Sequence, residues 1–296
     1  MNKEMARALL DALQAGKRAE RGRRVNHARG ILVEGRFRAT RAAPRFCLAE
    51  VFGGAEQRVL MRFSSSGADP HIDQRSPLAE PRGLAVRIGH DAAMVLIGHS
   101  IEGFPACDPE QFLNVLNAVD ASRPACAGAA MEQMDCPMSA RFEALRQRPA
   151  GSFTALDYHM LHPYRLVAAD GRVRIGRLSM RAPRPYAVNG TRDDPDYLDK
   201  RLRSELSKGP VALVMQFTAV AEGVDPADLS RAWDPALPSV ALGQLWLERV
   251  APQQGAQRRL VFDPASLPEG IGFAGDPMLY ARLGAYRLAA SQRLGP

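Results

Sequence analysis

Two guanidiniums and a phenol share one face of a helix predicted for DPMLYARLGAYRLAASQRLGP, residues 276–296. Arg282, Tyr286 and Arg293 are four and seven residues apart, and at about 100° per residue they fall within a narrow stripe. Because an adjacent fixed cation favours the ionised form of a phenol, Arg282 can hold Tyr286 as a phenolate. A phenolate is a hard anionic donor for ferric iron, and tyrosinate is a known axial ligand of haem. The stripe indicates an iron ligand, beside the ordinary alternative of a tyrosine at the core rim with solvated arginines.

The histidines are the other candidates for chemistry. His27 stands between a polar arm and a predicted strand in RVNHARGILVEGRF, where a structural role is the ordinary alternative. His99 follows the predicted strand MVLIGH, and the sequence leaves its role open. His159 and His162 have an HxxH spacing that can hold a metal on a helix. Pro163 and the strand-like segment after it argue against a helix there, and therefore against a metal site.

These side chains require a scaffold, and the first two-thirds of the chain predicts strands. Val59, Met61 and Phe63 alternate with Arg58, Leu60 and Arg62, a pattern typical of a strand with one buried face. GLAVRI, MVLIGH, ALVMQFTAV and GQLWLERV continue it. In RVRIGRLSMR the apolar phase slips by one residue, which predicts a bulge at Gly176. Roughly eight strands with short turns predict an antiparallel barrel in an α+β fold dominated by sheet.

Helices are predicted around this sheet. Residues 1–20 read as an amphipathic helical arm that stops near Gly16, and residues 21–296 as a single domain without repeats or linkers. Asp108 can cap a helix that starts at Pro109. Asp276 and Pro277 give the same N-cap and first-turn proline to the last predicted helix. The Pro-rich stretch 183–210 predicts a long connection into a short helix. The apolar face of the second helix comprises Phe112, Val115, Leu116 and Val119.

Composition restricts the class of protein. The chain has 296 residues and a formal net charge of +7, but its arginines are scattered, and two Trp and six Tyr offer little for base stacking. We therefore expect no nucleic-acid partner. No apolar run approaches a membrane span, and no secretory signal is visible, so we expect no membrane association and a cytoplasmic location. Four cysteines without CxxC spacing predict reduced thiols.

Seven blocks, in order, resemble the catalase family. RVNHARGILVEGRF is similar to the signature with the distal histidine, and MRFSSSGAD to the segment after it. The other blocks are EPRGLAVRI, GFPACDPEQF, SFTALDYHMLHPYRLVAADGRVRIGRLSM, LSRAWDPALPSVALGQLWLERV and FDPASLPEGIGFAGDPMLYARLGAYRLAASQRLG. The last matches the proximal segment with its Arg-x-x-x-Tyr pair. The chain thus resembles a minimal catalase-related haem peroxidase, which implies a catalase-like eight-stranded barrel that holds haem b.

The resemblance implies a role for each candidate residue. His27 would be the distal acid–base group, oriented by Ser64. Tyr286 would ligate the iron, with Arg282 keeping it ionised. The remaining positions are implied as follows: Arg24, Arg62 and Arg293 clamp the two haem propionates, Phe104 and Phe112 contact the macrocycle, and His99 stands where the family has its distal asparagine.

The departures from the family shape the expected activity. With His99 in place of the asparagine, efficient oxidation of a second peroxide to dioxygen is not implied. The arm before His27 is short, and the family's C-terminal helical and NADPH-binding portions have no counterpart. We therefore expect an accessible haem and a peroxidase that uses hydrogen peroxide or small organic hydroperoxides with a small-molecule electron donor. The alternatives are a fatty-acid hydroperoxide isomerase or lyase and a non-catalytic haem-binding protein; a homo-oligomer is compatible with each.

Overall fold

The computed structural model describes residues 3–15, 20, 22–90, 93–118, 136–147, 150–182 and 193–295. The predicted helix end near Gly16 and the predicted apolar position Val119 lie outside these ranges, as do residues 183–192 of the predicted long connection. The division into an arm of residues 1–20 and a domain of residues 21–296 stays a prediction.

The described residues form an antiparallel sheet whose strands are β1 Gly30–Ala39, β2 Gln57–Ser64, β3 Gly83–Ile88, β4 Met94–His99, β5 Tyr158–Val167, β6 Val173–Arg181, β7 Val211–Ala219, β8 Ser239–Val250 and β9 Ile271–Phe273. The spatial order is β4-β3-β2-β1-β8-β7-β6-β5-β9. A further pairing of β4 with β5, through His99 and His159, closes the first eight strands into a barrel. The predicted eight-stranded barrel and the α+β class are therefore confirmed, with β9 as a short addition beside β5.

The barrel interior is the main hydrophobic core, because alternate residues of each strand point inward. Val59, Met61 and Phe63 of β2 are buried there, as their spacing predicts. The ring of Phe63 stacks on Phe153 with centroids 5.3 Å apart, and Tyr158 lies 5.8 Å away. Aromatic pairs of this kind add stability beyond their burial.

The bulge predicted at Gly176 is wrong, because the irregular strand is its neighbour β5. The register between β5 and β6 shifts between Met160 and Tyr164, whereas β6 and β7 pair without a break. Gly176 is needed for space instead: a Cβ built there would lie 2.3 Å from the carbonyl oxygen of Thr218. Val173, predicted to face the core, is half exposed at 50%.

Five helices are described: α1 Lys3–Gln14, α2 Pro109–Ala118, α3 Ser139–Gln147, α4 Tyr197–Ser207 and α5 Pro277–Leu294. The two predicted caps are confirmed. Asp108 Oδ1 accepts a hydrogen bond from Gln111 N at 2.8 Å, and Asp276 Oδ1 accepts one from Leu279 N at 2.9 Å. α1 packs against α2 and α5. Within the described part of the chain, a helix with the length and apolarity to cross a membrane is absent.

Candidate active site

One cavity lies between the ends of the first barrel strands and helix α5. The empty space in it is about 1210 Å³, including the part that opens to solvent. Every residue that the sequence predicted for the site lines this cavity: Arg24, His27, Arg62, Ser64, His99, Phe104, Phe112, Arg282, Tyr286 and Arg293. The structure thus brings together side chains that are up to 269 positions apart in the sequence.

His27 occupies one wall in an unusual backbone conformation. Its φ is +50°, in the left-handed region that residues other than glycine seldom adopt. The Asn26 side chain secures this turn, because its Oδ1 accepts hydrogen bonds from the backbone N–H groups of His27 and Gly67, each at 2.9 Å. Strain of this kind persists where surrounding contacts over-determine it, and it is concentrated at functional sites.

Ser64, the last residue of β2, orients the imidazole. Its Oγ lies 3.1 Å from His27 Nδ1 and 3.4 Å from the carbonyl oxygen of Gly83. A serine hydroxyl carries one proton, so when it donates to that carbonyl it accepts from Nδ1–H and leaves His27 Nε2 as the base. Gly83 permits the contact, since a Cβ there would lie 2.6 Å from Ser64 Oγ. Burial first, and then the nearby Arg62, lowers the pKa of His27 to about 3, so the ring is neutral at neutral pH.

His99, the last residue of β4, adds a second imidazole to the same wall. Its ring centroid is 5.2 Å from that of His27, with the planes tilted by 46°. The ring lines the cavity, and among the described residues its nitrogens have no hydrogen-bond partner. Burial first, and then His27, lowers the pKa of His99 well below its usual range. A neutral imidazole offers a ligand both a donor and an acceptor.

The opposite wall is helix α5, which carries the stripe predicted from its spacing. The guanidinium carbon of Arg282 lies 5.7 Å from the centroid of the Tyr286 ring, close enough for a cation–π contact. Tyr286 projects into the cavity one turn beyond Arg282. The phenol is therefore placed to ligate a metal, with a fixed cation beside it.

Arg282 is itself held by a buried pair that the sequence reasoning missed. Arg282 Nη1 lies 3.0 Å from His162 Nε2, and His162 Nδ1 lies 2.8 Å from Asp276 Oδ2. Arginine only donates, so His162 Nε2 must accept, which places the proton on Nδ1 and directs it to the carboxylate. Burial, opposed by Asp276, lowers the pKa of His162, in keeping with this neutral tautomer.

The β5 irregularity explains how His162 reaches this position. Residues 161–163 bulge out of the register between Met160 and Tyr164, and a bulge redirects a side chain relative to its strand. The two histidines of the HxxH pattern therefore lie in different surroundings. In the described ranges, no group of three or more residues that could hold a metal ion is found.

Three arginines converge at one end of the cavity. Arg24 donates to the carbonyl oxygens of Gln257 and Leu260 at 2.7 and 2.9 Å. Arg293 donates to those of Arg258 and Leu260, each at 2.9 Å, so the two arginines share Leu260 O. Arg62 donates from Nε to Gln257 Oε1 at 2.9 Å. All three guanidiniums are thus held in place by neutral oxygens, with faces left towards the cavity.

These arginines carry charge that the described protein does not compensate. Each of them bonds only to carbonyl or amide oxygens, and none pairs with a carboxylate in the described part of the chain. Burial, with a neighbouring arginine as the next cause, lowers the pKa of Arg24 to about 10 and that of Arg62 well below its usual range. Buried charges ordinarily have partners, so this end of the cavity fits an anionic ligand such as a carboxylate.

Apolar side chains complete the enclosure. Phe104 and Phe112 meet with ring centroids 4.6 Å apart and offer aromatic surface to a planar ligand. Leu9, Leu10 and Leu13 of α1 also line the cavity, a contribution that the sequence reasoning did not foresee. The short arm was expected to leave the site accessible, but α1 covers one side of it.

Comparisons with known proteins agree with this geometry. A family model described as catalase matches residues 6–296. The catalase-related peroxidase of Mycolicibacterium paratuberculosis is 28% identical over 97% of this chain and 94% of its own length. That of Synechococcus elongatus is 23% identical over 96% and 87%. The catalase of Ascaris suum is 26% identical over 92% of this chain, which spans only 55% of that longer protein.

Solved structures show the same fold. A crystal structure of a fungal catalase superposes with a TM-score of 0.82 at 20% identity, covering 94% of this chain and 61% of the other. Catalase A from Saccharomyces cerevisiae gives a TM-score of 0.80 at 19% identity, covering 94% and 62%. At such identities these likenesses establish the architecture alone.

Proposed function

We propose that this chain, which belongs to the catalase family, binds haem b in the cavity and reduces hydrogen peroxide or small organic hydroperoxides with a small-molecule donor. The family and the two catalase-related peroxidases among the relatives support an oxidoreductase that acts on peroxide. The overall reaction would convert ROOH and a two-electron donor DH₂ into ROH, water and D.

One observation carries the cofactor assignment. A phenol, an apolar aromatic pair and three arginines without carboxylate partners face the same cavity. Haem b has a group that would contact each of them. Its iron suits Tyr286, its flat macrocycle suits the phenylalanines, and its two propionates suit the guanidiniums. The residues present therefore fit this group, and when bound it would supply the iron to which peroxide coordinates and from which electrons are drawn.

The proton transfers fall to the wall opposite Tyr286. His27 Nε2, freed by the Ser64 contact at Nδ1, takes the peroxide proton and returns it to the departing oxygen as the O–O bond breaks. The low pKa of His27, about 3, keeps the base ready across the neutral range. Ser64 thus acts through His27 as a positioning residue.

The proximal residues would hold the proposed metal ligand in place. Arg282 lies beside the Tyr286 ring and is oriented by the His162–Asp276 pair, so a fixed cation would stand beside Tyr286 if it ligates the iron. Arg24, Arg62 and Arg293 would fix the propionates, and with them the rotation of the macrocycle between the two walls. The comparisons give no support to a hydroperoxide isomerase or lyase or to a non-catalytic haem carrier. A homo-oligomer and a cytoplasmic location stay predictions.

The assignment is tested by the visible spectrum of haem-loaded protein and of Tyr286→Phe. Tyr280→Phe is a matched control, because Tyr280 lies on the same helix but is 61% exposed. We expect a high-spin ferric spectrum in the parent and in Tyr280→Phe, and a shifted or lost spectrum in Tyr286→Phe. Added peroxide should change the parent spectrum transiently and a donor should restore it. Identical spectra for the parent and Tyr286→Phe would rule out the proximal ligand proposed here.

A further inference from the structure

Six arginines surround one short segment of the chain, residues 257–261. Four reach it from elsewhere: Arg24 and Arg293 donate to carbonyl oxygens of residues 257, 258 and 260, and Arg87 donates to Val261 O at 2.6 Å. Arg62 bonds the Gln257 side chain. The segment itself contributes two more, which are exposed to solvent. We call this set the basic rim: Arg24, Arg62, Arg87, Arg258, Arg259 and Arg293.

Nearby acidic groups do not neutralise the basic rim. Asp263, two positions beyond the segment, faces Arg287 at 4.0 Å, and Glu20 pairs with Arg23 at 3.3 Å. Within the described residues, no member of the rim forms an ion pair with a carboxylate. On the function proposed above, two propionates would offset two of the six charges, so a strongly positive surface remains beside the cofactor edge.

The part of the rim that stays open restricts what it can bind. Arg24, Arg62 and Arg293 line the cavity, where on the function proposed above they would hold the propionates. The charge left for a second anion therefore comes from the half-buried Arg87 and the exposed Arg258 and Arg259. Clustered like charges of this kind raise the local concentration of small anions.

We propose that the basic rim is the binding site for the electron donor, and that this donor is a small hydroxylic anion. The inference rests on the proposed function for its redox step. The donor anion loses two electrons and its hydroxyl proton, and the peroxide takes up the electrons. With that proton and one from solvent, the peroxide leaves as alcohol and water. Guanidiniums suit this role because they bind carboxylates and enolates through paired N–H donors.

Binding alone is tested by calorimetry with benzoate and benzamide, which differ in charge but little in shape. We expect benzoate to bind and benzamide not to bind, both to haem-loaded and to cofactor-free protein. In Arg258→Glu/Arg259→Glu, which we call the rim variant, the benzoate Kd should rise about tenfold. Two positive charges of the rim become negative there, and screening by salt limits the effect. The carbonyl groups that hold the other arginines belong to the backbone and are kept. Arg203→Glu/Lys208→Glu, at exposed positions on α4 and just after it, is the control for net charge.

The redox step is tested with ascorbate, an anionic donor, and hydroquinone, a neutral one. For ascorbate we expect kcat/KM to fall about tenfold in the rim variant and several-fold between roughly 20 and 200 mM ionic strength. Hydroquinone should be nearly insensitive to both changes, and the α4 control should match the parent.

The outcomes separate the two proposals. Equal benzoate affinity in the parent and the rim variant, or an equal loss in the α4 control, would overturn the donor site. Absence of haem uptake or of any peroxide turnover would instead overturn the proposed function. The difference in benzoate affinity between the cofactor-free parent and the cofactor-free Arg258→Glu/Arg259→Glu variant would still decide whether these two arginines belong to an anion site.

Discussion

At the scale of single residues, His99 distinguishes this cavity most clearly. Its ring lines the cavity with its centroid 5.2 Å from that of His27, in the position that the resemblance assigns to a distal asparagine. An amide has a donor and an acceptor but no basic lone pair. The lowered pKa of His99 keeps its imidazole neutral, with a lone pair that can accept a proton transiently from a protic donor during turnover.

We therefore predict that His99→Asn shifts the balance of activities towards dioxygen evolution. The amide would give a second peroxide a fixed donor, and one hydrogen bond of about 1–1.5 kcal/mol in the transition state corresponds to roughly a tenfold change in rate. The measurement is the ratio of dioxygen release at an oxygen electrode to donor oxidation followed by absorbance. His159→Asn, across the β4–β5 pairing, is the control. An unchanged ratio in His99→Asn would contradict a proton-exchanging role.

At the scale of elements, helix α1 forms part of the cavity wall although it precedes the barrel. Its apolar face packs on α2 and α5, and its leucines line the cavity. An apolar wall excludes water and restricts the bulk of a ligand, so we attribute size selection to this helix.

We predict that Leu9→Ala/Leu13→Ala raises kcat/KM for cumene hydroperoxide relative to hydrogen peroxide, and also speeds the loss of haem to apomyoglobin. Truncating two packed leucines leaves a cavity, and each such change typically costs about 2–5 kcal/mol of stability, so unfolding is monitored in parallel. The control is Arg7→Ala/Asp11→Ala, which removes an exposed ion pair from the outer face of α1. If both double variants keep the parent's selectivity and haem retention, α1 has no such role.

The sequence predicted the helix caps correctly but the strand irregularity wrongly, for physical reasons. The caps at Asp108 and Asp276 act within one turn, so their sequence signals suffice. The bulge beside Gly176 was placed on the wrong strand, because an apolar phase shift is read along one strand whereas register is set by both. The role of His162 beside Arg282 was missed for the same reason. Its partner Asp276 lies 114 positions away, and the bulge that directs the His162 side chain leaves no local pattern.

At the scale of the whole molecule, four histidines inside the fold have lowered pKa values. Burial is the largest cause for each, and it brings the pKa of His27 to about 3 and that of His159 to about 4. In the unfolded chain a histidine titrates near 6.5, so below that pH the unfolded state binds more protons than the folded one. The contribution of these histidines to the free energy of unfolding is therefore constant above about pH 7 and falls as the pH drops towards 4.

We predict this acid sensitivity for the cofactor-free protein, measured by urea unfolding at several pH values between 7.5 and 5. Each neutral buried histidine contributes a slope of up to about 1.4 kcal/mol per pH unit below its unfolded pKa. His159→Asn should reduce this slope by the contribution of one proton, up to about 1.4 kcal/mol per pH unit. A slope equal to the parent's would mean that His159 titrates alike in both states.

The assembly of the site also lies at this scale, and the sequence alone reached it only in part. Spacing on one helix grouped Arg282, Tyr286 and Arg293, because that stripe is local. That His27, Ser64 and His99 face it came from resemblance to a family, since long-range pairing of strands leaves no signal in a single sequence. The contribution of α1, and the position of Arg87, Arg258 and Arg259 beside the predicted arginines, emerged only from the folded chain.

The two walls of the cavity have different origins along the chain. One is built on residues 24–27, which precede β1, and on β2, β3 and β4, and the other on α5, which follows β9. Neither wall encloses the cavity by itself, so on the function proposed above a flat cofactor could be held only once α5 has packed against the barrel.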